Sequence, residues 1–131
     1  MKSNLSEFEK YTGKKQKDVP TPLATISTGR AIALNKKASF LMKETDKHIE
    51  LYYNSKKKII GLKFLETPST SSYSVAGQRR RNVVIRCATF ITHYKIPHDK
   101  LRYYEVEYDE DEHMIFVDLH KMVKEVSPDD R

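Results

Sequence analysis

Ile49-Glu50-Leu51-Tyr52-Tyr53-Asn54 and Tyr104-Glu105-Val106-Glu107-Tyr108-Asp109 stand 55 positions apart and alternate apolar and polar side chains in the same phase. At the same offset, Lys58-Ile59-Ile60-Gly61-Leu62-Lys63-Phe64 lies over His113-Met114-Ile115-Phe116-Val117-Asp118-Leu119. Alternation over six or seven residues is the pattern of a half-buried strand. Two such runs joined by a short polar segment read as an antiparallel hairpin. The chain therefore carries one hairpin twice. The first turn, Asn54-Ser55-Lys56-Lys57, is basic and the second, Asp109-Glu110-Asp111-Glu112, is acidic.

Upstream, Ala38-Ser39-Phe40-Leu41 matches Ala88-Thr89-Phe90-Ile91 at an offset of 50. The five extra residues fall in the loop holding Ile96-Pro97-His98-Asp99, where insertions cost least. In the first unit we expect a strand over residues 31–34. A helix capped by Asn35 follows, with Ala38, Leu41 and Met42 on its core face, and ends near Glu44. Strands over 48–53 and 58–65 complete the unit. The second unit is expected to hold a strand over 83–85, a helix over 87–94 and strands over 102–108 and 113–119. A further strand precedes each unit, at 23–27 and 72–76, giving ββαββ twice.

This divides the chain into a flexible basic arm (1–20) ending at Pro20-Thr21-Pro22, a first unit (21–65), a polar linker (66–72), a second unit (73–121) and a tail (122–131). Half of a 131-residue chain buries little apolar surface alone. The expected fold is mainly β with a minor α component, both units closing into one pseudo-twofold, barrel-like domain.

The first unit, Ile26-Ser27-Thr28-Gly29-Arg30-Ala31-Ile32-Ala33-Leu34 followed by a short helix and a hairpin, resembles the swapped-hairpin domain of AbrB-type transition-state regulators. The MazE-like antitoxins and the MraZ regulators belong to this group, and MraZ carries two units in one chain. The resemblance covers residues 23–65 well and 73–119 weakly. It implies interleaved hairpins and DNA contact through basic residues near the loops. Two features depart from the pattern: Asn35 stands where proline usually starts the helix, and Gly77-Gln78-Arg79-Arg80-Arg81 replaces a clear Gly-Arg in the second unit.

Composition narrows the function. Apolar residues are 38% and charged residues 32%, with a formal charge of +6. The charge is uneven: +8 over residues 1–65, +4 over 66–100 and −6 over 101–131. A basic front suits a polyanion, because Lys and Arg displace counterions from phosphates. The single cysteine, Cys87, leaves no partner for an internal disulfide, which fits a reducing, cytoplasmic setting. No stretch approaches the length of an apolar membrane span.

The candidate nucleic-acid contacts are Arg30, Lys36, Lys37, Arg79, Arg80, Arg81 and Arg86. Gly29 is expected to permit a tight turn in which the Arg30 guanidinium grips a phosphate or a guanine edge. Lys36 and Lys37 oppose the dipole of the short helix, a local cost that phosphate offsets. Arg79-Arg80-Arg81, extended by Arg86, is the densest cationic point and suits phosphate positioning over base reading. The strand tyrosines are read as packing residues and Cys87 as a buried thiol. His48, His93, His98, His113 and His120 lack metal-ligand spacing, and no nucleophile elbow or phosphate loop occurs. The expectation is a non-enzymatic, cofactor-free regulator or accessory factor, monomeric or homodimeric, that binds double-stranded DNA. The alternative is a protein-interaction module on the same fold.

Overall fold

The computed structural model describes residues 21–76, 78 and 81–127. The expected arm (1–20), the chain from 128 onward, and Arg79 and Arg80 lie outside them. Eight strands and two short helices follow in order: β1 (Leu23–Ile26), β2 (Ala31–Leu34), α1 (Lys36–Ser39), β3 (His48–Asn54), β4 (Ile59–Leu65), β5 (Tyr73–Ser74), β6 (Val83–Arg86), α2 (Ala88–His93), β7 (Leu101–Asp109) and β8 (Met114–Val126).

The strands form one sheet in the order β5-β3-β4-β8-β7-β1-β2-β6, every neighbouring pair antiparallel. It curls into a nearly closed barrel. Tyr53 on β3, next to the β5 end of the strand order, packs against Phe90 on α2 and Tyr94 just after it, with ring centroids 6.3 and 4.8 Å away, so the segment that follows β6 bridges toward the other side of the sheet. Exchanging the halves of the chain preserves the pairing at every step but one: β1 pairs with β2, whereas β5 does not pair with β6. β2 pairs with β6 and β4 with β8, each strand with its counterpart. β1 pairs with β7 just as β5 pairs with β3.

Over the four pairs next to each turn the hairpins correspond at the 55-residue offset, whereas farther out Tyr104 opposes Met122 where the image of Ile49–Phe64 would be Leu119. Tyr53 opposes Ile60 in one hairpin, and Tyr108 opposes Ile115 in the other. The turns match as well: Lys58 and His113 take left-handed φ values of 59° and 54°. Asn54 Oδ1 accepts from Lys57 N–H at 3.0 Å, as Asp109 Oδ1 does from Glu112 N–H at 3.2 Å. Even the contacts between hairpins are images. Phe64 N–H donates to His113 O at 3.1 Å and Leu119 N–H to Lys58 O at 3.0 Å.

Alternation explains the core. Ile60, Leu62 and Phe64 on β4 and Ile115 and Val117 on β8 point inward with Ile26, Ile32, Leu34, Ile49, Ile85 and Tyr104. Each such side chain contributes about 1.5–3 kcal/mol by leaving water.

Asn35 does what the sequence suggested and more. Its Oδ1 accepts from Ala38 N–H at 2.9 Å, capping α1, and from Leu23 N–H at 3.1 Å, while its Nδ2 donates to Thr21 O at 2.7 Å. One side chain thus ties the start of β1 to the start of α1.

Three expectations need adjustment. α1 stops at Ser39 instead of near Glu44, although Ala38 and Met42 are buried as expected and Leu41 is half-buried. The helices begin at 36 and 88, an offset of 52, so the resemblance at offset 50 does not mark equivalent helix positions. β8 continues to Val126, past the expected ends at 119 and 121. β7 begins at Leu101 and offers backbone partners as far as Leu101 opposite Val126, at the cost of two register shifts.

Candidate nucleic-acid interface

The β2–β6 ladder organises the basic residues. Its four pairs run from Ala31 opposite Arg86 to Leu34 opposite Val83, about 10 Å at 3.3 Å per residue. At one end, the turn after β1 closes with Arg30 N–H donating to Ser27 O at 3.0 Å, and Arg30 itself is left-handed at φ 61°. The sequence had assigned this freedom to Gly29. Gly29 has no such φ, and a Cβ there would meet nothing closer than Ser27 Oγ at 3.7 Å, so the strain sits on the arginine. A non-glycine residue held left-handed costs about 1–3 kcal/mol unless its surroundings impose it. Here part of that restraint is visible: Arg30 Nη1 donates to Thr92 Oγ1 on α2 at 3.2 Å.

Arg30, Ala88, Thr89, Thr92 and His93 line an open recess of about 500 Å³. Arg86 is exposed beside it, opposite Ala31. The guanidinium keeps donors beyond the one given to Thr92, aimed at an open surface with a second arginine close by.

At the other end of the ladder, exposed Lys36 and Lys37 follow Leu34, while exposed Arg81 precedes Val83 and donates its N–H to Gln78 O at 3.0 Å. Gln78 also protects the ladder: its Oε1 accepts from Val84 N–H on β6 at 2.9 Å. The strand register therefore places the described candidates at the two ends of the ladder, Arg30 and Arg86 at one and Lys36, Lys37 and Arg81 at the other.

Tyr53 is half-buried among Phe90, Tyr94 and the neighbouring His93, and burial raises the Tyr53 phenol above its ordinary value. This is packing, as the sequence suggested. Cys87 is buried, and burial pushes its thiol up to about 11, too high for a nucleophile at neutral pH.

Sequence reasoning missed one cluster. Asp46 Oδ2, almost wholly buried, accepts from Lys43 N–H at 2.7 Å and meets His113 Nε2 at 2.5 Å, while His113 Nδ1 meets the Tyr108 hydroxyl at 2.5 Å. It ties the loop after α1 to the β7–β8 turn. Asp46 and His113 lie 67 residues apart, so no local signal joins them. The row resembles a catalytic relay, but Tyr108 is held above its ordinary phenol range by burial and by Glu110, Asp46 and Asp109, the reverse of activation. Among the described residues no group of three or more His, Cys, Asp or Glu side chains is placed to hold a metal ion, and no helix is long and apolar enough to cross a membrane.

No protein-family model, curated protein or solved structure matches this chain.

Proposed function

We propose that this chain is a non-enzymatic, cytoplasmic DNA-binding protein, a transcriptional regulator or accessory factor of the AbrB-like kind built from two swapped-hairpin units. The observation that carries the reading is Arg30, held left-handed at the tip of the β1–β2 turn and fastened to Thr92 beside an open recess, with Arg86 next to it. A fixed, exposed guanidinium is suited to phosphate or guanine, since its orientation is settled before binding. Lys36, Lys37 and Arg81 supply a second basic group at the far end of the β2–β6 ladder, and Arg79 and Arg80 immediately precede Arg81 in the sequence. The acidic β7–β8 turn faces away from the duplex.

Binding of this kind is mainly electrostatic and falls steeply with salt. Fluorescence anisotropy with labelled duplex DNA, single-stranded DNA and RNA, from about 50 to 200 mM salt, tests it. The expected result is duplex preference, with Arg30→Ala weakening affinity about tenfold or more while the thermal midpoint stays within a few degrees. Replacing Arg79, Arg80 and Arg81 together by Ala lowers the salt slope. Absence of duplex binding at low salt overturns the reading and favours a protein-interaction module on the same barrel.

A further inference from the structure

The outward face of β3, β4 and β8 is unusual. Sheet surfaces that meet water normally carry polar side chains, yet here Tyr52, Gly61 and Phe116 stand side by side across the three strands. Tyr52 is 48% exposed, and Ile59 and Phe116 are half-buried on the same surface. Gly61 leaves a low point between the two rings. A Cβ there would come within 2.8 Å of Met114 Cε and 3.5 Å of both Phe116 and Tyr52. The patch therefore combines two aromatic rings with a low floor at Gly61.

Ile59 and Phe116 form the ridge between two shallow recesses, of about 280 and 340 Å³. The flanks differ in sign. The recess toward β3 is bordered by Tyr52, Asn54 and Lys57. The recess toward β7 is bordered by Glu105, Glu107 and Asp118, with Lys121 paired to Glu107 at 3.3 Å. An apolar centre between a positive and a negative flank is complementary to itself when rotated by a half-turn about an axis lying in the contact plane along the strands.

We propose that this face binds the same face of a second copy of the chain, forming a two-fold dimer with Tyr52, Ile59 and Phe116 at its centre. The rotation places Lys57 of each copy against the Glu105–Glu107–Asp118 flank of the other. Apolar area supplies affinity, and the opposed charges fix the orientation. In the strand order, the β4–β8 pair lies on the far side of the barrel from β2–β6. The dimer therefore leaves both basic groups of each copy uncovered, and the inference stands whether or not the chain binds DNA.

Sedimentation velocity of the full chain from about 1 µM to about 1 mM reads the result directly. The expected outcome is a concentration-dependent shift from the 15.3 kDa monomer to twice that mass. Tyr52→Glu weakens the dimer about a hundredfold and Lys57→Glu or Glu107→Lys each about tenfold, with thermal midpoints within a few degrees of the wild type, because all three side chains are exposed and the variants lose at most the surface contacts Tyr52–Glu50 and Glu107–Lys121. The decisive arm mixes two variants. Chains with Lys57→Glu and chains with Glu107→Lys each repel themselves but complement one another, so their mixture regains dimer that neither forms alone. A monomer across the whole range overturns the proposal. So does a dimer indifferent to Tyr52→Glu and Glu107→Lys, or a mixture that recovers nothing.

Discussion

The β3–β4 and β7–β8 hairpins share a register next to their turns, a turn geometry and a set of inward-facing positions, yet one turn carries Lys56, Lys57 and Lys58 and the other Asp109, Glu110, Asp111 and Glu112. Backbone hydrogen bonding and core alternation are conditions on every second residue, and both hairpins meet them. Exposed turn residues are free of those conditions. The difference separates what the fold requires from what a surface can vary: the two hairpins are equivalent as architecture and opposite as electrostatic objects. Even the side chain that shapes each turn follows this rule. Asn54 and Asp109 accept the same backbone N–H, so the acceptor is common to both turns while the charge is not.

The deepest test of that equivalence lies in the core. Ile60 and Ile115 occupy corresponding positions and are both wholly buried. Ile60→Ala and Ile115→Ala are each expected to lower stability by about 2–5 kcal/mol, agreeing with one another within about 1 kcal/mol. If both halves share one core, urea unfolding followed by far-UV circular dichroism and by tyrosine fluorescence gives coincident single transitions for both variants. Two transitions would mean that the halves unfold separately.

The Asp46–His113 contact breaks the equivalence. At the hairpin offset its image falls on Leu101 and Lys58, which hold no such pair. Asp46→Ala leaves Lys43 N–H and the His113 ring without their acceptor in a part-buried site, so the expected loss is about 1–3 kcal/mol. Leu101→Ala, at a half-exposed position, should cost less. A double-mutant cycle between Asp46→Ala and His113→Ala measures the coupling, and additive losses would show that the two side chains act independently.

These two features also mark the limit of what the sequence discloses. The hairpins were legible because strand alternation and a polar turn are local signals, and their repetition at one offset made them stronger together. β8 beyond Leu119 was not. Lys121, Val123, Lys124 and Glu125 are exposed, so no alternation announces a strand there, which exists because β7 reaches back to Leu101 to pair with it. Asp46 and His113 meet only once the barrel closes. The candidate site was legible as charge alone: the arginines could be named from the sequence, but their division between the two ends of the β2–β6 ladder, and the left-handed Arg30, depend on strand pairing.

The helices differ in the same instructive way. α1 is capped by Asn35, whereas Cys87 at the start of α2 makes no side-chain cap and is buried in the core instead. Asn35→Ala is expected to cost about 1 kcal/mol or somewhat more, because the same side chain also holds Leu23 and Thr21. Thermal unfolding of Asn35→Ala and Asn35→Asp separates the roles. Aspartate keeps a side-chain oxygen to cap Ala38 N–H but loses the donor to Thr21, so its midpoint falls between those of the wild type and Asn35→Ala.

The smallest effect concerns an ion pair in the second half. Arg102 donates to Asp99 at 2.8 Å and lies 3.4 Å from Glu125; at the hairpin offset these positions fall on Lys47, Glu44 and Thr70, so the second carboxylate is the one replaced by a neutral residue in the first half. The hydrogen bond from Arg102 holds the Asp99 carboxyl below its ordinary range. A carboxyl with a lowered folded value contributes its stability above the ordinary aspartate value, near about pH 4, and loses it as pH falls through the lowered value. Because Asp99 is exposed, solvent screening keeps the contribution slight. Melting curves of the wild type and Asp99→Asn should therefore differ slightly at neutral pH and converge under acid. A gap that persists at low pH would assign the effect to packing around Arg102 and not to its charge.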